Sequence, residues 1–101
     1  MGTANFGDRD LLVNAVVEAV RQGVRLFDTA QGYGSEPGLG EGLVKSGVSR
    51  DELFISAKID LSGEEDATAR VNRQVASTLK NLQTTYLDSV VFHWPMPLDK
   101  V

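Results

Sequence analysis

Apolar residues recur at helical spacing in parts of this chain and gather into short β-branched runs in others. Over residues 8–22, Leu12, Ala15, Val16, Ala19 and Val20 fall on one side of a helix. Arg21 and Gly23 suit its end: a cation favours the C-terminal carbonyls, and glycine accepts the left-handed turn past the last residue. Val24 to Phe27 then reads as a strand running into Asp28. Ser35-Glu36-Pro37 has the form of a helix start, since Pro is tolerated in a first turn. Leu39, Leu43 and Val44 would pack that helix and Gly47 would end it. Leu53 to Ala57 is a second strand, apolar enough to predict burial on both faces. Asp60 to Asp66 is polar and acidic, a surface loop. Over residues 67–82, Val71, Val75, Leu79 and Leu82 make one stripe with Arg70, Arg73, Gln74 and Lys80 around it, the clearest amphipathic helix of the chain. Leu87 to Phe92 is the last strand, its run Ser89 to Phe92 leading into His93, and Pro95 and Pro97 stop it because neither can donate to a ladder.

The predicted order is α-β-α-β-α-β, with the remnant of one more strand expected before Asp8. Alternation of this kind means a parallel sheet with helical crossovers. The length of 101 residues fits one domain, residues 1–101, and a hydrophobic fraction of 42% with 24% charged residues is ordinary globular composition. The net charge of −4 argues against nucleic acid or an anionic membrane as partner, since both call for a basic surface. The absence of cysteine excludes disulfides and thiolate chemistry, and a single histidine, His93, makes a dedicated metal site improbable. No charged-then-apolar leader, no myristoylation pattern (Phe6 stands where Ser or Thr is needed) and no apolar run of about twenty residues are present. The expectation is a soluble cytoplasmic protein.

Chemistry enters at the strand ends. The first strand runs into Asp28, the second into Lys58 and the third into His93. In a parallel sheet the strand C-termini share one rim, so a carboxylate, an ammonium and an imidazole encoded far apart are expected to converge. Tyr33, five residues past Asp28, brings a phenol to the same rim. Singly, each has a plainer reading: Asp28 as a cap, Lys58 as a solvated strand end, His93 as a core histidine, Tyr33 as a turn aromatic. No Walker or G-x-G-x-x-G pattern opens a helix directly after a strand.

These residues carry a resemblance. Phe27-Asp28-Thr29-Ala30 with Tyr33, Glu36 with Leu39-Gly40, Phe54 to Lys58, and Leu87-Asp88 through His93-Trp94-Pro95 resemble, in order, the N-terminal part of the aldo-keto reductases. The opening Gly2-Thr3 is similar to the loop after that family's first strand. The resemblance implies a parallel (β/α) half-barrel, the N-terminal portion of a TIM (β/α)8 barrel whose full form needs about 250 residues. It implies hydride transfer from NADPH to an aldehyde or ketone, with Asp28, Tyr33, Lys58 and His93 as catalytic tetrad. Gly2, Thr3 and Asp28 would contact the cofactor, and Trp94 and His93 the substrate; no metal is implied.

The chemistry has its own logic. A free phenol with a pKa near 10 is a poor acid at neutrality, and a neighbouring ammonium such as that of Lys58 makes it a better one. Asp28 would hold that ammonium in place through a charge-assisted hydrogen bond. His93 can donate to the carbonyl oxygen and polarise it. Because the chain is expected to stop after the fourth strand of such a barrel, two alternatives stand beside catalysis. One is a non-catalytic interaction module; the other is a half-barrel that self-associates through its open sheet edges.

Overall fold

Asp8 opens the first helix by accepting from the backbone N–H groups of Asp10 and Leu11, two of the donors that a helix start leaves without partners. In the computed structural model, which describes residues 1–3, 7–30, 34–59 and 66–92, this helix is α1, Arg9–Arg21. It is followed by β1 (Leu26–Ala30), α2 (Glu36–Ser46), a 3₁₀ turn (Arg50–Glu52), β2 (Phe54–Ile59), α3 (Ala67–Leu82) and β3 (Ser89–Phe92). Gly23 (φ 102°) and Gly47 (φ 74°) end α1 and α2 in conformations that a side chain would strain. The predicted order therefore holds, as do the bounds of α3, while β3 starts at Ser89, two residues later than expected.

The strands form a parallel sheet in the order β1-β2-β3, with Leu26 opposite Phe54, Asp28 opposite Ser56 and Ser56 opposite Ser89. Gly2 adds a parallel bridge to Asp28, the strand remnant expected at the start of the chain. Parallel neighbours that follow one another in sequence need crossovers, and α2 and α3 supply them.

Four sequence expectations need correction. First, β1 starts two residues late, so Asp28 lies within the strand and not at its end. The Arg25 guanidinium instead donates to Val20 O at the end of α1, holding Val24-Arg25 as a connector. Second, β2 is buried on one face only: Ile55, Ala57 and Ile59 are buried, whereas Phe54 is 47% exposed. The helices cover one side of the described sheet and leave the other open. Third, Val44 is exposed, because α2 meets its neighbours through glycine. A Cβ on Gly40 would lie 2.5 Å from Asn81 O and 2.8 Å from Leu82 Cα of α3, so only hydrogen permits that helix contact. Fourth, the most buried residues of α3 include Gln74, a polar residue expected beside its apolar stripe, and with it Thr78.

The core gathers Leu12, Val16 and Val20 of α1, Phe27 of β1, Leu39 and Leu43 of α2, Leu53 and Ile55 of the second strand region, and Leu82 of α3. Full burial of a side chain such as Phe27 contributes about 1.5–3 kcal/mol relative to exposure. Among the described residues no helix is long and apolar enough to cross a membrane.

Candidate active site

The register of β1 and β2 decides the site. Asp28 and Lys58 both project from the face of the sheet that the helices leave open, one strand apart and offset by two residues along the sheet. That diagonal lets a long side chain reach a short one. Lys58 Nζ donates to Asp28 Oδ1 at 2.8 Å and to Oδ2 at 2.6 Å. The two side chains are 20% and 42% exposed respectively, so the pair is shielded but reachable from the open face. An ammonium held by both oxygens of a carboxylate keeps its charge and its direction.

The backbone of Asp28 is gripped by the opening residues of the chain. Its N–H donates to Met1 O at 2.8 Å, and its carbonyl accepts from Thr3 Oγ1 at 2.9 Å. Thr3 Oγ1 lies 2.9 Å from Ser35 Oγ, which in turn is 3.4 Å from Thr29 Oγ1. Thr3, Thr29 and Ser35 are all buried. Beside them Glu36, also buried, accepts from Thr78 Oγ1 at 2.8 Å and from Asn81 Nδ2 at 3.2 Å, tying the start of α2 to α3.

The structure thus brings together Asp28 and Lys58, and adds Gly2 at the bridge beside Asp28. Gly2 is exposed, and a Cβ placed there would meet nothing within 4 Å. Thr3 is fully buried with its hydroxyl engaged inside the protein. Tyr33, His93 and Trp94 lie outside the described residues. The reading from sequence did not find Thr29 or Ser35; Ser35 reads as an ordinary helix cap, and buried hydroxyls leave no periodic trace. Among the described residues no cluster of His, Asp or Glu could hold a metal ion.

At the opposite end of the strands sits a different construction. Arg50 donates to Thr84 Oγ1 (2.8 Å), Leu53 O (3.0 Å), Tyr86 O (2.8 Å) and Asp88 Oδ2 (2.9 Å), with its guanidinium 3.9 Å above the Tyr86 ring. Asp88 Oδ2 also accepts from the backbone N–H of Ile55 at 2.8 Å. That peptide hydrogen bond, followed by the Arg50 contact, holds the Asp88 carboxyl below its ordinary range.

Comparison with known proteins identifies the family and the fold. The model of the aldo/keto reductase family matches residues 1–100. A D-galacturonate reductase of Fragaria ananassa is 41% identical, over 99% of this chain and 33% of its own length. The methylglyoxal reductase DkgB of Salmonella typhi is 37% identical over 100% of this chain and 37% of its own. Among solved structures, MGS-M4, an aldo-keto reductase from a Medee basin deep-sea metagenome library, superposes with a TM-score of 0.88 at 30% identity, over 99% of this chain and 36% of that one. A Bombyx mori aldo-keto reductase in complex with NADP gives a TM-score of 0.82 at 30% identity, over 94% of this chain and 33% of that one. The chain spans about a third of the length of these relatives, and its parallel α/β sheet corresponds to the N-terminal portion of their TIM barrels. With the family model matched along nearly its whole length, the chain belongs to the aldo/keto reductase family.

Proposed function

We propose that this chain carries the proton-transfer machinery of an NADPH-dependent reductase of aldehydes or ketones. The observation that supports it most is the contact of Lys58 with both carboxylate oxygens of Asp28 on the open face of the sheet. An ion pair kept for stability alone gains little where one partner is 42% exposed. The same pair placed beside a phenol has work to do.

When bound, NADPH would supply the hydride for the carbonyl carbon, and this chain's residues would handle the proton. Tyr33 gives its hydroxyl proton to the carbonyl oxygen, which leaves as the alcohol. Lys58 favours loss of that proton by placing a positive charge beside the phenol, and Asp28 keeps the ammonium charged and aimed. His93 donates a hydrogen bond to the same oxygen and polarises it, while Trp94 lines the substrate side. The residues present fit the cofactor in two places. The uncrowded Gly2 lets a ligand come close to the backbone, and the exposed side of Asp28 offers an acceptor for a sugar hydroxyl. Thr3, buried with its hydroxyl engaged, would serve the cofactor indirectly by holding Gly2 and Asp28 together.

The test is the rate of carbonyl-dependent NADPH oxidation by the form of the protein that turns over. Tyr33→Phe is expected to lower kcat by about 10²–10⁴-fold, the usual worth of a positioned acid. Undiminished turnover would show the wrong proton donor has been chosen. NADPH is expected to give the higher kcat/KM of the two nicotinamide cofactors. A stably folded chain with no affinity for NADPH would favour a non-catalytic interaction module.

A second reading has an observation of its own. Leu26, Phe54 and Val91 are 54%, 47% and 44% exposed on the open face, and Val90 and Phe92 are 44% and 56% exposed on β3, the outermost described strand. A closed barrel covers such positions; so would a second copy of this chain meeting the edge of β3. Sedimentation of the 101-residue chain is expected to give dimers or larger species, and a well-folded dilute monomer would rule that out.

A further inference from the structure

Ser35 occupies the N-cap position of α2, where serine ordinarily accepts from the helix's first N–H groups, yet its side chain makes no such bond. The hydroxyl turns instead to Thr3 Oγ1 at 2.9 Å. A cap residue that forgoes its local partner marks a place where another requirement prevails. Hydrogen-bond chemistry orders the group. Thr3 Oγ1 bonds the Asp28 carbonyl, which can only accept, so Thr3 must donate there. Having one proton, Thr3 then accepts from Ser35, and Ser35 accepts the longer contact from Thr29 at 3.4 Å. The protons run in one direction: Thr29 to Ser35, Ser35 to Thr3, Thr3 to the carbonyl of Asp28.

We infer that this buried hydroxyl chain makes Thr3 and Ser35 positioning residues for Asp28, fixing its peptide so that the carboxylate keeps hold of Lys58. The main chain of Asp28 is then held on both sides, by Met1 O at its N–H and by Thr3 at its carbonyl. Thr29, the next residue, faces the helices and closes the chain from the opposite side of the strand. Three hydroxyls shielded from water hold direction better than exposed ones, because no solvent competes for the bonds. A strand that could rotate slightly at Asp28 would swing the carboxylate on the open face, and the ammonium with it. The inference rests on the reading of Asp28 and Lys58 as the working pair.

The test reads Lys58 directly in the full 101-residue chain. Only an unprotonated amine attacks an acylating ester, so an ammonium held by a carboxylate is modified slowly. Acylation of Lys58 is followed by mass spectrometry, with Lys45 and Lys80 as exposed references in the same molecule. Thr3→Val and Ser35→Ala are expected to raise the relative rate at Lys58 about two- to tenfold, the shift that follows from losing one ordinary hydrogen bond. Thr3→Ser, which keeps the hydroxyl, should restore the wild-type rate. Equal Lys58 rates in folded Ser35→Ala, Thr3→Val and wild type would overturn the assignment and leave the hydroxyls a packing feature. If Thr3→Val does not fold, Ser35→Ala decides alone, since serine to alanine creates little void. Labelling needs no turnover, so failure of the reductase reading, seen as absent NADPH oxidation by wild type, is distinguished from failure of this one.

Discussion

At the N-terminal end of the strands Arg50 meets Asp88 at 2.9 Å; toward the C-terminal end Lys58 meets Asp28 at 2.6 Å. The distances hardly differ, but the surroundings do. Asp88 spends an oxygen on the Ile55 peptide, and Arg50 joins the 3₁₀ turn to the segment between α3 and β3 through four acceptors and an aromatic face. Those contacts knit chain segments together, which is what a stabilising pair does. Asp28 and Lys58 instead stand on the open face, with the Asp28 backbone fastened from behind by Thr3. In TIM barrels the C-terminal rim carries chemistry and the opposite end carries stability, and these two pairs divide along that line.

The contrast can be broken from either end. Lys58→Met is expected to cost about 10²–10⁴-fold in kcat, while the unfolding free energy from urea titration falls by no more than about 1 kcal/mol, because the pair is partly solvated. Comparable loss of stability and turnover would erase the distinction. Arg50→Met should do the reverse: about 2–3 kcal/mol of stability lost with its hydrogen bonds and ring contact, and unchanged kcat per folded molecule.

Gly40→Ala probes the ground between. Its methyl would meet the α3 backbone, so α2 must move away, at about 1–3 kcal/mol. Because α2 begins at the Ser35-Glu36 anchor, turnover should fall as well, unlike in Arg50→Met. If Gly40→Ala leaves kcat untouched, the two ends are more independent than this.

The smallest effect is in acid. Asp88 titrates below its ordinary 3.8 in the folded chain, so the unfolded chain takes up the proton first. Its contribution is complete above that value and is lost as pH falls through the folded one. Asp88→Asn should flatten this acid limb of the stability curve. Glu18, drawn down to about 2 by its bonds to Arg21 and Gln22, is an exposed residue; Glu18→Gln should change the limb less, since solvent screens that pair.

How much of this could be read beforehand follows from what leaves a pattern. The stripe of α3 gave its bounds to the residue, and Ser89–Phe92 stood out as a β-branched run. Asp28 and Lys58 were legible as the residues that two apolar runs lead into at one rim, although both proved to lie inside their strands. Thr3 was named as a cofactor contact, but its burial, like that of Thr29, Ser35, Glu36, Gln74 and Thr78, was not legible, since hydrophobic periodicity sorts polar residues to the outside and these are buried with partners or contacts of their own. Arg50 was missed for another reason. Three of its partners, Thr84, Tyr86 and Asp88, come more than thirty residues later, and nothing local announces them.

The most direct test is an experimental structure of the protein with NADPH bound, measuring from the Tyr33 hydroxyl to Lys58 Nζ. The account predicts hydrogen-bond reach, about 2.6–3.2 Å, with the His93 ring turned toward the same point. A Tyr33 hydroxyl pointing away from the Asp28–Lys58 pair, beyond reach even through one water, would contradict it.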